Sequence, residues 1–287
     1  MTLPSESVPH VPYKVVIEGL RAAYQARQPW SLIRLGDGES AILGYPEVGH
    51  PVNYRRWMSN FFGSHAGDDA LYAPLKADLE QAIRGADVIG TSEHRLTDPG
   101  AGAQVLHDMG GLPKRTPEQS QALNGAERLF LNHHLLRLGE LRGLLTHANI
   151  HVYMEQQGVL ADLIGLSRAV TLIGCRDVAA NLSTRFPGTA FRHLRIPGEY
   201  NWEPQDARQH WQAQKPHYPD VYNDLRGQLQ AGGFDELVLV GAGPCGKVYC
   251  DDVRRAGGFA IDIGSIMDMW AGVMTRSYMH EKKTVTF

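Results

Sequence analysis

Short apolar runs closed by turn residues punctuate this chain, at Trp30 to Leu35, Asp87 to Thr91, Asn149 to Met154, Ala169 to Gly174 and Glu236 to Gly241. Runs of this length without polar alternation suit strands buried on both faces. Two weaker runs, Thr189 to Ile196 and Phe259 to Ile263, extend the series. Ahead of the first run, Val16, Leu20, Ala23 and Tyr24 recur at helical spacing, and helical periodicity returns over residues 68–84, 118–145, 178–186 and 204–229. Strands that alternate with helices predict an α/β fold, a mostly parallel sheet with helices on both faces. A hydrophobic content of 43% over 287 residues supports one substantial core. We therefore expect a single domain over residues 13–287, preceded by a proline-rich tail over residues 1–12.

Charge and cysteine usage exclude several classes. The formal net charge is −3 and the basic residues are scattered, so no nucleic acid partner is expected. Cys175, Cys245 and Cys250 are odd in number and form no CxxC pair, which fits a reducing compartment and no zinc finger. No start resembles a signal peptide, and no apolar run reaches the ~18 to 20 residues of a transmembrane segment. The expectation is a cytoplasmic protein, with a peripheral seat at the inner membrane face as its variant.

Two loops carry chemistry. The first strand runs into Gly36-Asp37-Gly38-Glu39, two carboxylates at i and i+2 among glycines that permit a tight turn. Asp37 and Glu39 could converge on one hard divalent cation, Mn²⁺ or Mg²⁺, which takes oxygen ligands and keeps positions for phosphate oxygens. An ordinary polar turn, with Asp37 capping a helix from near Ser40, is the plain alternative. Arg34 is a cation inside an apolar strand; it should pair with one of these carboxylates or reach a diphosphate.

The second loop, Gly241-Ala242-Gly243-Pro244-Cys245-Gly246-Lys247, follows a strand and opens a helix that runs to Arg255. Glycines allow close backbone approach, Pro244 suits a first helical turn, and the free N–H groups form an anion site beside Lys247. The turn matches G-x-G-x-x-G, with Asp262 about 20 residues on, as a dinucleotide fingerprint requires. That supports a rival reading, a Rossmann-type enzyme using NAD(P) or S-adenosylmethionine. The turn's late position, with 25 residues left beyond Asp262, argues against it. Cys245 has no histidine nearby in sequence, which disfavours covalent catalysis.

Taken together, Ile33 to Glu39 and the block from Val238 to Trp270 resemble the two signatures of the GT-D type glycosyltransferases. The first is similar to that family's D-x-E element. The second is similar to its strand, glycine turn, helix and "A-x-D-x-G" end. The resemblance implies a Rossmann-like fold in which Glu39 and Asp37 hold a divalent metal against a nucleoside diphosphate sugar, with Gly243 and Asp262 lining the pocket. It also points to Asn132 and His133 as polar residues facing the donor, and to Asn201 in a loop after a strand. Ser265 stands where members often carry His.

The expected donor-side residues are therefore Arg34, Gly36, Gly38, Glu93, His94, Asn132, His133, Asn201, Gly243, Pro244, Gly246, Lys247, Asp262 and Ser265, with Asp37 and Glu39 catalytic. Residues 94–117 and 195–219 are rich in Gly, Pro and polar residues, follow strands, and suit acceptor loops. The acceptor would be a glycan or a lipid-linked hydroxyl, and Asp37, Glu93 and Asp262 are the candidate general bases. A non-catalytic nucleotide-sugar-binding module would show the same pocket without turnover.

Overall fold

The computed structural model describes residues 10–46, 51–62, 69–92, 99–112, 114–139, 141–198 and 215–275. Seven strands form one parallel sheet: β1 Trp30–Arg34, β2 Val88–Thr91, β3 Leu144–His147, β4 Ala169–Gly174, β5 Ala190–Arg195, β6 Leu237–Gly241 and β7 Phe259–Asp262, in the order β3-β2-β1-β7-β6-β4-β5. The inner strands carry the apolar runs because helices cover both of their faces. Edge strands β3 and β5 are partly exposed and correspondingly more polar.

One face carries α2 Asp37–Gly44, α4 Asp69–Gly85, α6 Pro117–Arg137, α10 Tyr222–Gln230 and α11 Gly243–Arg255, packed on Ile33, Ile89, Val238, Val240 and Ala260. The other carries α1 Tyr13–Gln25, α7 Ile150–Gln156, α8 Val159–Leu166, α9 Ala179–Arg185 and α12 Ile266–Trp270, packed on Leu32, Val88, Leu172, Leu239 and Ile261. Strand residues alternate between the two cores, as a pleat demands. Crossovers that move toward β3 use the first face and those that move toward β5 use the second, the pattern a single crossover hand produces.

The structure corrects several expectations. Residues 149–154 are not a strand; Asn149 precedes α7 and the rest lie in it, with Ile150 and Met154, one helical turn apart, buried together. The strand is instead Leu144–His147, whose first two residues the sequence assigns to the end of the preceding helix. Backbone pairing decides it: Leu144 N donates to Asp87 O at 2.9 Å and the strand lies in register with β2. Val11, assigned to the tail, is held by the same edge, since its N–H donates to Leu145 O at 2.7 Å and its carbonyl accepts from Thr146 Oγ1 at 3.0 Å. Residues 99–110, expected as loop, form the helix α5 Pro99–Gly110. Of the helical stretch 204–229, the described part begins at Lys215 and is not regular helix before α10, since Tyr218 is extended at φ −114° and ψ 131°.

Where α4, α10 and α11 meet, a half-buried polar seam runs beside the apolar packing. Arg226 donates to Asp78 at 2.6 Å and to Asp252 at 2.8 Å, and Tyr222 OH donates to Asp78 at 2.8 Å. His217 Nε2 lies 2.9 Å from Tyr249 OH, fully inside this layer. Burial pushes the His217 imidazole from the usual ~6.5 down to about 3, because a charged ring would lose its hydration. A depressed histidine pKa means that the unfolded chain takes up this proton first. Its contribution to stability is full above about pH 6.5 and declines as pH falls toward 3, with a slope of up to ~1.4 kcal/mol per pH unit. Between pH 7.5 and 4.5, melting curves of His217→Asn should therefore fall less steeply with pH than those of the wild type. Parallel slopes would show that His217 does not carry this acid sensitivity.

Candidate functional site

The chain leaves β1 and β6 toward the first face, through α2 and α11, and leaves β7 toward the second, through α12. The carboxyl ends of these three adjacent strands are therefore a switch point of the sheet, the position at which open α/β sheets bind ligands in a crevice. Both sequence motifs end there. Gly36 to Glu39 follow β1, Gly241 ends β6 with Ala242 to Lys247 beyond it, and Asp262 closes β7.

At the base of the crevice lies a charge cluster. Lys247 Nζ sits 2.9 Å from Glu39 Oε1 and 3.0 Å from Asp262 Oδ2, and donates to Gly243 O at 3.0 Å. Lys247 reaches this point because a long helical side chain leans toward the N-terminus of its helix, here toward the residue one turn back. The second oxygen of Glu39 accepts from Gly36 N–H at 2.8 Å, which fixes the carboxylate across the first turn of α2. Asp262 Oδ2 also accepts from Arg34 N at 3.2 Å, and Arg34 Nε donates to the Asp262 carbonyl at 3.2 Å. The guanidinium completes the pair at 3.5 Å from Asp262 Oδ1, and its other nitrogen lies within 3.0 Å of both ring nitrogens of His151.

Lys247, Glu39 and Asp262 are all buried, and the side chain of Arg34 is 17% exposed. Burial would discharge Lys247, but Asp262 and Glu39 outweigh it and hold the ammonium pKa above its ordinary value. Likewise burial opposes ionisation of Asp262, while Arg34 and Lys247 overcome it and hold the carboxyl below the usual range. The cluster thus sets two acidic side chains, Glu39 and Asp262, against two basic ones, Lys247 and Arg34. Asp262 is 1% exposed, and its carboxylate is paired with both Arg34 and Lys247. Arg34 pairs with Asp262 rather than with the carboxylates of its own loop.

Glycines make the space. A side chain at Gly264, which has φ +49°, would collide with the Arg34 guanidinium, and one at Gly90 would crowd Arg34 Cγ at 3.2 Å. Gly243 has φ +52° and opens α11 in a conformation that side chains resist. Helix geometry leaves the first-turn N–H groups of α11 without intrahelical partners, directed at the crevice. Gly246 and Pro244 are buried, and a Cβ at Gly246 would meet Val240 at 3.1 Å; that glycine brings helix and strand together.

The remaining expected residues divide by position. Gly38 is buried in α2, and Ser265 begins α12 three residues beyond Asp262, at the crevice rim. Asn132 and His133 lie on α6, which Ser40 ties to α2 through a 2.7 Å bond to Glu127 O. Asp37 is the first residue of α2, so helix capping from near Ser40 is not its place. The side chains of Asp37, Asn132 and His133 lie outside the description, as do residues Glu93, His94 and Asn201. Sequence reasoning missed His151, since its run reads as a strand, and Gly90. The signal in 150–155 was the i, i+4 pairing of Ile150 with Met154 beside His151 with Glu155. Cys245 and Cys250 are buried and their thiols are pushed up by burial, which leaves them protonated and unsuited to nucleophilic attack.

The expected divalent ion finds poor ligands here. Both oxygens of Glu39 and both of Asp262 already accept from N–H donors, and among the described residues no three His, Cys, Asp or Glu side chains gather as a metal site. The described donor set does not fit a metal ion.

A parallel Rossmann-like sheet with a paired acidic and glycine-turn crevice defines the class, and comparison with known proteins narrows it. The profile of the GT-D fold-like domain matches residues 11–186, and the chain belongs to this GT-D-like family. A solved structure described as a selenomethionine-substituted domain of unknown function 1792 aligns with a TM-score of 0.53 at 15% identity, covering 98% of this chain and 91% of that one. A second, described as showing that domain 1792 "has a distinct glycosyltransferase fold", aligns at 0.51 with 16% identity and the same coverage. At these identities the likeness establishes the fold. None of the curated proteins matches the chain. No helix of the described residues is long and apolar enough to cross a membrane.

The cluster predicts a coupling measurable without any ligand. Removing one partner of a buried pair costs ~3 to 5 kcal/mol, and removing both costs less than the sum. Glu39→Gln and Lys247→Met should each destabilise in urea unfolding, with a coupling of at least ~1 kcal/mol in the double variant. Additive effects would mean that the pair is not formed in solution.

Proposed function

We propose that this chain transfers a glycosyl group from a nucleoside diphosphate sugar to a hydroxyl of a glycan or lipid-linked acceptor. The observation that carries this reading is the buried Glu39–Lys247–Asp262–Arg34 cluster beneath the N-terminus of α11, at the carboxyl ends of β1, β7 and β6. Membership of the GT-D-like family supports sugar transfer as the chemistry.

In this mechanism the diphosphate lies against the first turn of α11. The N–H groups of Gly243 and Cys245 hydrogen-bond phosphate oxygens, and Pro244 between them has no donor to give. Charge develops on the leaving diphosphate in the transition state, so fixed donors there lower the barrier. The cluster holds α2 and α11 at a fixed separation, which keeps those donors aimed without reorganisation. With Asp262 and Glu39 sealed in ion pairs, activation of the acceptor hydroxyl falls to Asp37 or Glu93. Asp37 is favoured, because α2 starts at that residue directly beyond β1.

The same packing weakens the dinucleotide alternative. Such an enzyme needs the acidic residue after the glycine turn free for a ribose, and Asp262 is spent on Arg34 and Lys247.

Thermal denaturation with a panel of nucleoside diphosphates tests this reading. At 100 times its Kd, the preferred diphosphate should add ~2.7 kcal/mol of stability, and NAD(H) and S-adenosylmethionine should add none. Gly243→Ala forces a side chain into left-handed backbone, at ~1 to 2 kcal/mol, and should weaken diphosphate binding at least ~10-fold. With donor sugar supplied, Asp37→Asn should lower transfer at least ~10²-fold. Stabilisation by NAD(H) alone, or wild-type binding by folded Gly243→Ala, would remove this function.

A further inference from the structure

Lys247 is placed as a metal ion would be. Its ammonium has three N–H groups, and three oxygens from three separate segments receive them: Glu39 Oε1 at 2.9 Å, Asp262 Oδ2 at 3.0 Å and Gly243 O at 3.0 Å. These are two carboxylates and a backbone carbonyl, the hard oxygen set that a divalent cation selects. The side chain is 6% exposed. No N–H remains for a substrate phosphate, so Lys247 does not touch the donor.

We infer that Lys247 is a built-in cation that replaces a divalent ion at the Glu39 and Asp262 carboxylates, so this site handles a diphosphate without metal at Glu39. Three observations carry it. The ammonium occupies the point where the three oxygens converge, so a metal could enter only by expelling a buried lysine. The opposite oxygens are also taken, by Gly36 N–H on Glu39 and by Arg34 on Asp262, so neither carboxylate could turn to present a free edge. Finally, charge already balances: Arg34 and Lys247 offset Glu39 and Asp262, and a further divalent ion would leave two uncompensated charges in a buried site. Lys247 is thus a positioning residue that fixes the ends of β1 and β7 and the start of α11 in one arrangement.

Removing the lysine should uncover the site it fills. Lys247→Ala leaves two carboxylates and a carbonyl facing a cavity, which is a hard-cation site by composition. A merely structural lysine would yield no such gain. The test is Mn²⁺ titration of the full chain after EDTA treatment, followed by electron paramagnetic resonance of free Mn²⁺ and by melting temperature. The wild type should show no Mn²⁺ site dependent on Glu39. Lys247→Ala should gain one Mn²⁺ per chain, at least ~10-fold tighter than any wild-type binding, and be stabilised by it. The double variant Lys247→Ala/Glu39→Gln should lose that site.

A folded Lys247→Ala that gains no Mn²⁺ site overturns the inference. So does a wild-type Mn²⁺ site that Glu39→Gln abolishes, a result that needs only the wild type and a variant retaining Lys247. The diphosphate clause rests on the proposed function and is read separately: the melting shift given by the preferred nucleoside diphosphate should persist in EDTA, with Kd changed less than ~3-fold. Loss of that shift in EDTA with recovery in Mn²⁺, dependent on Glu39, overturns it too. No shift with any nucleoside diphosphate refutes the donor assignment, while the Mn²⁺ titrations still decide the role of Lys247.

Discussion

The ammonium of Lys247 between Glu39 and Asp262 is the contact on which the site depends. It joins the end of β1, the end of β7 and the first turn of α11, which are remote in sequence and meet only through the sheet order. Each charge is buried, so each requires the others; none would be tolerable alone at so low an exposure. The cost of assembling such a group is large, and proteins meet it where geometry must be held tightly. Here the geometry held is the spacing between two helix starts that flank one crevice.

Around this contact, glycines do the work of admission. Gly90 and Gly264 leave room for the Arg34 guanidinium, and Gly246 lets α11 lie against β6. The arginine in turn anchors Asp262 by backbone and side chain and leans on His151 from the opposite helical layer. The site is therefore braced from both faces of the sheet. A diphosphate bound at the α11 turn would meet an electrostatic frame set before it arrives, which is the condition for charge stabilisation without reorganisation.

Much of this was legible in residues. Six of the seven expected strands lie on the predicted runs: Trp30 to Leu35, Asp87 to Thr91, Ala169 to Gly174 and Glu236 to Gly241 hold, as do both weaker runs, while Asn149 to Met154 does not. Inner strands announce themselves because burial on both faces requires continuous apolar residues. The edge strand β3 does not, since one side lacks a neighbour and its apolar demand is low. Four apolar positions in six, as in Asn149 to Met154, read alike for a strand and for a buried helical turn. Glu39, Lys247, Asp262 and Arg34 were each marked as site residues by type and place, yet the ion pairs that join them were not legible.

Local order was thus written in the chain: an α/β alternation, a carboxylate pair after the first strand, and a glycine turn opening a late helix. Backbone conformation and hydrophobic period act over a few residues, so a sequence displays them directly. Which cation meets which carboxylate was decided only in the tertiary structure. Arg34 passes over its own loop to Asp262, 228 residues away, because β7 inserts beside β1. Lys247 takes Glu39, and the oxygens that seemed free for a metal are closed by an ammonium. Ion pairing depends on distances across the sheet, and those exist only once the last strand has taken its place between the first and the sixth.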